Sequence, residues 1–579
     1  MRWRLLIVLP VVAATTLLVR AAVPSSGTLN APAAGQTSSI AWTGGPYTGA
    51  TADPSLCSSV TCDSFALTLN VPSTFYSSNP GYAVHATINW SNSTNDFDLY
   101  VYDATGSLVC SSAQGGTTFE DADCGQLPTG AYTVQVVAFT VANATYAGAA
   151  TLGPEPLMQT GRARYTAGKF TFSTPQLLPG PSDLLLGQQG VEPRAVTDSL
   201  GNIYVAAIQG VPAGTDVWKS IDGGRTFSYL GQPDGAQAAA ALARGTGLGG
   251  GDEDLAVGAS GHVYVNSLWL GSSTQSSSFN GGTAWTVNPV STDTVGDDRQ
   301  WIASHGDNEL YLTYKQLGVL LAGTPSIFMA KSFDGGVTFP QIVEVTTPVL
   351  GVQPGLQGNV TVDQRNGTVY NVFVGAQENQ LYLARSTDGG RTFGLKLVFQ
   401  APTGTSLAHV FPAVAVDKAG SLHAVFSDGH NVFLTSSADA GATWTTPVRV
   451  NNGTQTKTAI SPWIEAGDAG KVNIAWWGTG AGSSLDTGAQ WRVFFAQTLN
   501  AFATVPAFAQ APATPVMHAG PICVEGLSCP SGTRNLAEYF AIGSYLDGSA
   551  LIPYPDDNHN PSAMTMFVRQ TGGSLIGSK

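Results

Sequence analysis

A chain of 579 residues exceeds one ordinary domain, so two or more are expected. Charged residues make up only 11% while hydrophobic residues reach 43% and glycine occurs 68 times, which excludes a disordered chain and disfavours helical bundles. Asp and Glu outnumber Lys and Arg by 39 to 25, a net charge of −14 without any basic stripe, so nucleic acid is excluded as a partner. An acidic sugar stays open as a ligand, because a few local arginines can dominate one pocket.

The N-terminus reads as an export signal over residues 1–22. Arg2 and Arg4 form its positive end, Leu5 to Val19 its apolar stretch, and Val19-Arg20-Ala21 its cleavage site. The apolar run is short for a bilayer and holds Pro10, so no membrane span is expected after cleavage. The six cysteines fall in three close pairs, Cys57 with Cys62, Cys110 with Cys124 and Cys523 with Cys529, which local disulfides in an oxidising compartment would explain. They make a poor metal site, since no CxxC occurs. The chain is therefore expected outside the cell, as a monomer.

Residues 23–39 are rich in Ser, Gly, Pro and Ala and read as a flexible spacer. Residues 40–153 alternate polar and apolar positions between turns, as in Asp98 to Asp103 and Gly130 to Val136, and predict a small β-sandwich. Its stretches NDFDLYVYDATGSLV (Asn95 to Val109) and LPTGAYTVQVVAF (Leu127 to Phe139) resemble the bacterial pre-peptidase C-terminal domain, a jelly-roll-like accessory of secreted enzymes. Asp96, Asp98 and Glu120 are its candidate calcium ligands, being hard oxygen donors. The alternative is that these acids cap turns. No other cofactor is called for, and residues 154–190 read as a linker.

From residue 191 to 579 the chain repeats itself. Four octapeptides share S-x-D-x-G-x-T-aromatic: SIDGGRTF at Ser220, SFDGGVTF at Ser332, STDGGRTF at Ser386 and SADAGATW at Ser437. With the degenerate SFNGGTAW at Ser278, successive starts lie 58, 54, 54 and 51 residues apart, the length of a four-stranded sheet with its turns. Asp222, Asp334, Asp388 and Asp439 suit an Asx-type turn, and the fifth-position glycine suits a left-handed backbone, so these aspartates are expected to be structural. A turn followed by an apolar strand recurs seven times, beginning at Gly201, Gly261, Asn308, Gly367, Gly420, Gly470 and Gly548. Seven units predict a seven-bladed all-β propeller, with six blades the alternative. For the sixth fastener TLNAFATV at Thr498 is favoured over SLDTGAQW at Ser484. The Ala-rich Gln237 to Arg244 predicts one short helix.

The octapeptides resemble the Asp boxes, or BNR repeats, of the sialidase superfamily. That resemblance implies a site on the face away from the boxes, where each innermost strand begins. It implies an arginine triad for a sugar carboxylate, a tyrosine nucleophile paired with a glutamate, and an aspartic acid/base. Carried over, the triad is Arg194, Arg299 and Arg534, with Glu192 and His409 nearby, and Asp254 or Asp298 is the acid/base. Tyr539 with Glu538 would be the nucleophile pair, although neighbours on a strand face opposite ways. Arg194 follows Pro193, which departs from the family's Arg-x-Pro order. The structural alternative is that these charges bridge neighbouring blades, each arginine saturated by an acid. Trp269, Trp463, Trp476 and Trp477 are candidates for sugar stacking or for packing between blades. No HExxH or GxSxG stands at a usable position. The sequence therefore reads as a secreted sialidase-like glycoside hydrolase, or a propeller recognising extracellular glycan or glycoprotein. The competing class is a non-catalytic adhesion platform.

Overall fold

The computed structural model describes residues 22–577 except 52–53, 60, 80, 93, 114–117, 155–157, 159, 181–189, 212, 236–248, 270–271, 293–295 and 318–324. Residues 1–21 of the expected export signal and the helix expected at 237–244 lie outside the described residues. Among the described residues no helix is long and apolar enough to cross a membrane.

The N-terminal domain is folded by one strand of 25 residues, Gly130–Pro154. Its first half pairs with Cys62–Asn70 and Asp96–Asp103, its second half with Ser38–Ala50 and Tyr82–Asn89. It thereby passes from one layer to the other, and Trp42 stacks on Phe65 between the layers at 4.2 Å. This is the expected sandwich, with one correction. Residues 23–39 are no free spacer, because Ser26–Asn30 runs parallel to Ala66–Asn70 and buries Leu29 completely. Backbone pairing needs no hydrophobic run, so composition hid this edge strand. All three local disulfides form.

Seven antiparallel sheets follow around an axis. The innermost strands are Val191–Thr197, Glu253–Val257, Asp297–His305, Pro354–Val362, Ala413–Val416, Thr458–Ala466 and Gly543–Ser544, for blades 1 to 7. The seven turn signals mark where the second strands start, from Ile203 in blade 1 to Ala550 in blade 7. The supposed linker 154–190 is a second correction. Thr171–Phe172 and Gln176–Leu177 pair with Met564–Gly572 of blade 7, and Arg164–Ala167 runs parallel to Ala507–Pro512 of blade 6. The outer edge of blade 7 is thus covered by segments that precede the ring.

Each Asp box joins the third and fourth strands of its blade, at the end away from where the innermost strand starts. In the second clear copy Asp334 accepts from Ser332 Oγ (2.7 Å), Thr338 N–H (2.9 Å) and Thr338 Oγ1 (2.7 Å). The fifth-position glycine is left-handed in every copy, as at Gly336 (φ +84°) and Gly441 (φ +87°). The box aromatic fills the space between blades, with Phe227 against Phe567 at 4.8 Å. TLNAFATV occupies the same corner of blade 6, between Gln490–Thr498 and Ala507–Pro512. Asp334→Ala removes three hydrogen bonds from a partly screened turn and is expected to cost about 1–2 kcal/mol. Thermal melting measures this. In the same turns hydrogen bonds to Thr226 hold the Asp222 carboxyl down at about 2. A depressed carboxyl stabilises the fold above its unfolded value, so this contribution fades as pH falls toward 2.

Candidate functional site

The innermost strands of blades 1, 3 and 6 each carry a bulge at their starting end, where register shifts. Glu192, Arg299 and Ser461 sit in these bulges with left-handed backbones, φ +53°, +53° and +52°, and Ala537 of blade 7 does the same at +57°. Non-glycine residues hold such angles only where their surroundings fix them, at about 1–3 kcal/mol each. Here the fixing contacts are visible. Arg299 Nη1 donates to Glu192 Oε2 (2.9 Å) while Glu192 Oε1 accepts from the Glu538 N–H (3.0 Å). Ser461 Oγ donates to the Glu538 carbonyl (2.8 Å).

The three arginines thus come to the same end of the axis, but none stands free. Arg299 is 5% exposed, ion-paired with Glu192 and 3.5 Å from Asp252, and its Nη2 donates to the Glu253 carbonyl. Arg194 is ion-paired with the fully buried Asp254. Arg534, 31% exposed at the rim, donates through Nε (3.2 Å) and Nη2 (2.7 Å) to Glu538. The expected clamp of free guanidiniums is therefore corrected to two blade-bridging pairs, at Arg299 and Arg194, and one local pair within blade 7, at Arg534.

Beneath them the channel is filled. Trp301, Phe411, Trp463 and Tyr539, from blades 3, 5, 6 and 7, pack around the axis with centroids 5.1–6.0 Å apart. The Arg299 guanidinium lies over Trp301 (4.0 Å) and Tyr539 (4.1 Å), a cation held between aromatic faces. Trp463, Trp476 and Trp477 are buried packing residues, and Trp269 is half-buried with its Nε1–H on the Pro289 carbonyl.

The acids divide accordingly. Asp254 accepts from Arg194, Leu255 N–H and Ile302 N–H, is fully enclosed, and is withdrawn as an acid/base. Tyr539 donates to the Glu253 carbonyl (2.6 Å) while Glu538 faces Arg534, so the two make no nucleophile couple. Burial pushes the Tyr539 hydroxyl far above its usual range. Asp298 is different. It is part-exposed at the mouth, and burial first, then the charges of Asp252 and Glu538, raise its carboxyl to about 7. Glu192 is pushed upward too, by burial and then Asp252, against the pull of Arg299. Both oxygens of Glu253 lack hydrogen-bond partners, and burial, then the charge of Asp254, push this enclosed carboxyl well above its usual range. Sequence reasoning passed over Asp252, Glu253 and Lys315, which lies on the neighbouring strand opposite Asp298. The signal was there: Asp252-Glu253-Asp254 is a run of acids in a chain with few charges.

His409 is not with the arginines. It lines the seam between sandwich and propeller beside Gly429, and burial lowers its imidazole to about 4, leaving it neutral. Asp96 and Asp98 share a strand, Glu120 is bonded to the Ser112 hydroxyl, and no metal-holding group of three forms among the described residues. Burial raises Asp96 to about 6 and Asp98 to about 8.

Solved structures similar to this chain include an arabinofuranosidase, a trans-sialidase and an arabinanase. The GH93 α-L-arabinofuranosidase of Fusarium graminearum has 14% identity over 53% of this chain and 92% of its own, with a TM-score of 0.35. The leech intramolecular trans-sialidase has 12% identity over 84% and 94%, with a TM-score of 0.37. The Penicillium chrysogenum α-L-arabinanase has 13% over 71% and 98%, with a TM-score of 0.35. Identities this low say nothing of the reaction. No protein-family model and no curated protein matches the chain.

Because Arg299 neutralises buried Glu192, Arg299→Ala is expected to destabilise by about 3–5 kcal/mol by leaving an uncompensated charge. Arg299→Lys, which loses the planar stack, should also lower the melting temperature. A free ligand clamp would melt normally in both variants.

Proposed function

We propose that this is an extracellular glycan-directed propeller that hydrolyses an uncharged glycoside at the channel mouth. The observation that carries the reading is Asp298, a part-exposed carboxyl raised to about 7 beside other carboxylates. Glycoside hydrolysis needs one carboxyl able to donate a proton at neutral pH and a second carboxylate on the reacting sugar. Asp298 takes the first role, protonating the leaving oxygen. Glu538, held by Arg534, takes the second, with Asp252 beside Arg299 completing the wall.

An anionic sugar suits this mouth less. Glu192, Asp252, Asp298 and Glu538 act on one another there, and the arginines are already engaged by carboxylates. Three disulfides support a place outside the cell. A second reading, a non-catalytic binding platform, is favoured by the aromatic filling of the channel, which leaves a ligand only the surface above it.

A panel of fluorogenic glycosides with the purified chain separates these. Uncharged glycosides should be cleaved and a sialoside should not. Asp298→Asn should lower kcat about 10²–10⁴-fold with near-normal melting. The acid form of Asp298 exists below its raised value, so kcat should fall as pH rises through about 7. Cleavage of the sialoside in preference would overturn the uncharged-substrate reading, and no turnover on any glycoside would leave the platform.

A further inference from the structure

A cavity of about 460 Å³ lies between the sandwich and blades 4 to 6. This is within the size range of small-ligand sites. Both domains build it. Ser112, Gln377, Asn379, Thr405, Ser406 and Asn431 are among its lining residues, alcohols and amides of the kind that suit a polyhydroxylated molecule.

Its charge is one-sided. Asp121, Asp123, Glu378, Asp428 and Glu525 line it, whereas Arg449 is the one arginine or lysine among the described lining residues. Arg449 lies over the ring of Tyr165, another lining residue (5.7 Å), and donates to Asn452 Oδ1 (3.2 Å). Two histidines are already spoken for: His85 pairs with Asp121 (3.0 Å) and His430 with Asp123 (3.3 Å), the latter across the domain seam. His409 is neutral.

Glu378 is an acid of this lining that burial raises. A left-handed backbone, φ +57°, sets it on the loop between the second and third strands of blade 4. Ser406 Oγ donates to it at 2.7 Å. Burial and the neighbouring Asp121 outweigh that bond and the weaker influence of Lys315, raising its carboxyl to about 7. Burial pushes Asp428 upward as well. The histidines hold Asp123 below its usual range, whereas burial leaves Glu378 and Asp428 raised, and a ligand that brings positive charge would stabilise their ionised forms.

We propose that this seam binds an amine-bearing oligosaccharide, its ammonium set against Glu378 and Asp121 and its hydroxyls against the surrounding alcohols and amides. The site is separate from the channel mouth and does not rest on hydrolysis there. Binding of an ammonium favours ionised Glu378, so complex formation releases a proton near pH 7.

Isothermal titration of the full chain with a glucosamine trimer, and with its N-acetylated counterpart, tests this. The two share shape and differ in charge. The amine form should bind at least tenfold tighter, and its heat should change with the buffer's ionisation enthalpy as a proton leaves. Glu378→Gln should weaken binding about tenfold, and Asp428→Asn, a milder change should the first variant misfold, should weaken it by a smaller factor. Asp334→Asn, in an Asp box at the opposite end of the blades, should leave affinity within twofold. Equal affinity for the two trimers, no binding of either at millimolar concentration, or loss of affinity in Asp334→Asn would each overturn the proposal.

Discussion

A guanidinium taken out of water must be neutralised where it stands, and Arg299 imposes that requirement on four blades at once. Its own strand bulges to bring it to the axis, Glu192 of blade 1 bulges to meet it, and blade 2 offers the Glu253 carbonyl and Asp252. Tyr539 of blade 7 and Trp301 of blade 3 close over its faces. The strained backbones at Glu192 and Arg299 are thus two halves of one constraint. Relaxing either would separate a buried pair, which costs more than the strain it relieves.

What this arrangement leaves over defines the chemistry at the mouth. Once Glu192, Asp254 and Glu538 have answered the three arginines, Asp298 has no arginine, and it sits among the charges of Asp252 and Glu538. Its raised carboxyl is the residue of a local charge balance with too few cations. The same shortage recurs at Glu378, where Asp121 is the unfavourable neighbour. Lys315 acts on both groups and is itself lowered by burial, so one poorly solvated ammonium is shared between the two acidic regions.

The propeller was legible because its signals are local. Each Asp box is closed by hydrogen bonds within eight residues, as from Ser332 to Thr338, and each second strand is announced by its own turn. The disulfides too join cysteines close in sequence. The strand at Ser26–Asn30 and the closing strands at 171–177 were illegible for the opposite reason. Their partners lie dozens to hundreds of residues away, and their own composition is that of a spacer. The site was half legible. That Arg194, Arg299 and Arg534 gather at one end follows from the blade repeat, but whether the first two are free depends on Asp254 and Glu192, which only folding brings within reach, while Glu538 stands four residues from Arg534.

His409 shows where a repeat-based reading fails in kind. Its position in blade 5 is equivalent to that of the arginines in theirs, yet the surroundings of equivalent positions differ because the sandwich covers one side of the ring. Tyr100 reaches Ser528 and Ser483 reaches Val109 across that seam, and His430 meets Asp123 there. The propeller's entry face is consequently divided, with the arginine pairs and Asp298 around blades 1, 2, 3 and 7 and the covered cavity over blades 4 to 6. Seven near-equivalent strand starts therefore serve two different environments, and the boundary between them is set by a domain whose sequence contains no trace of the repeat.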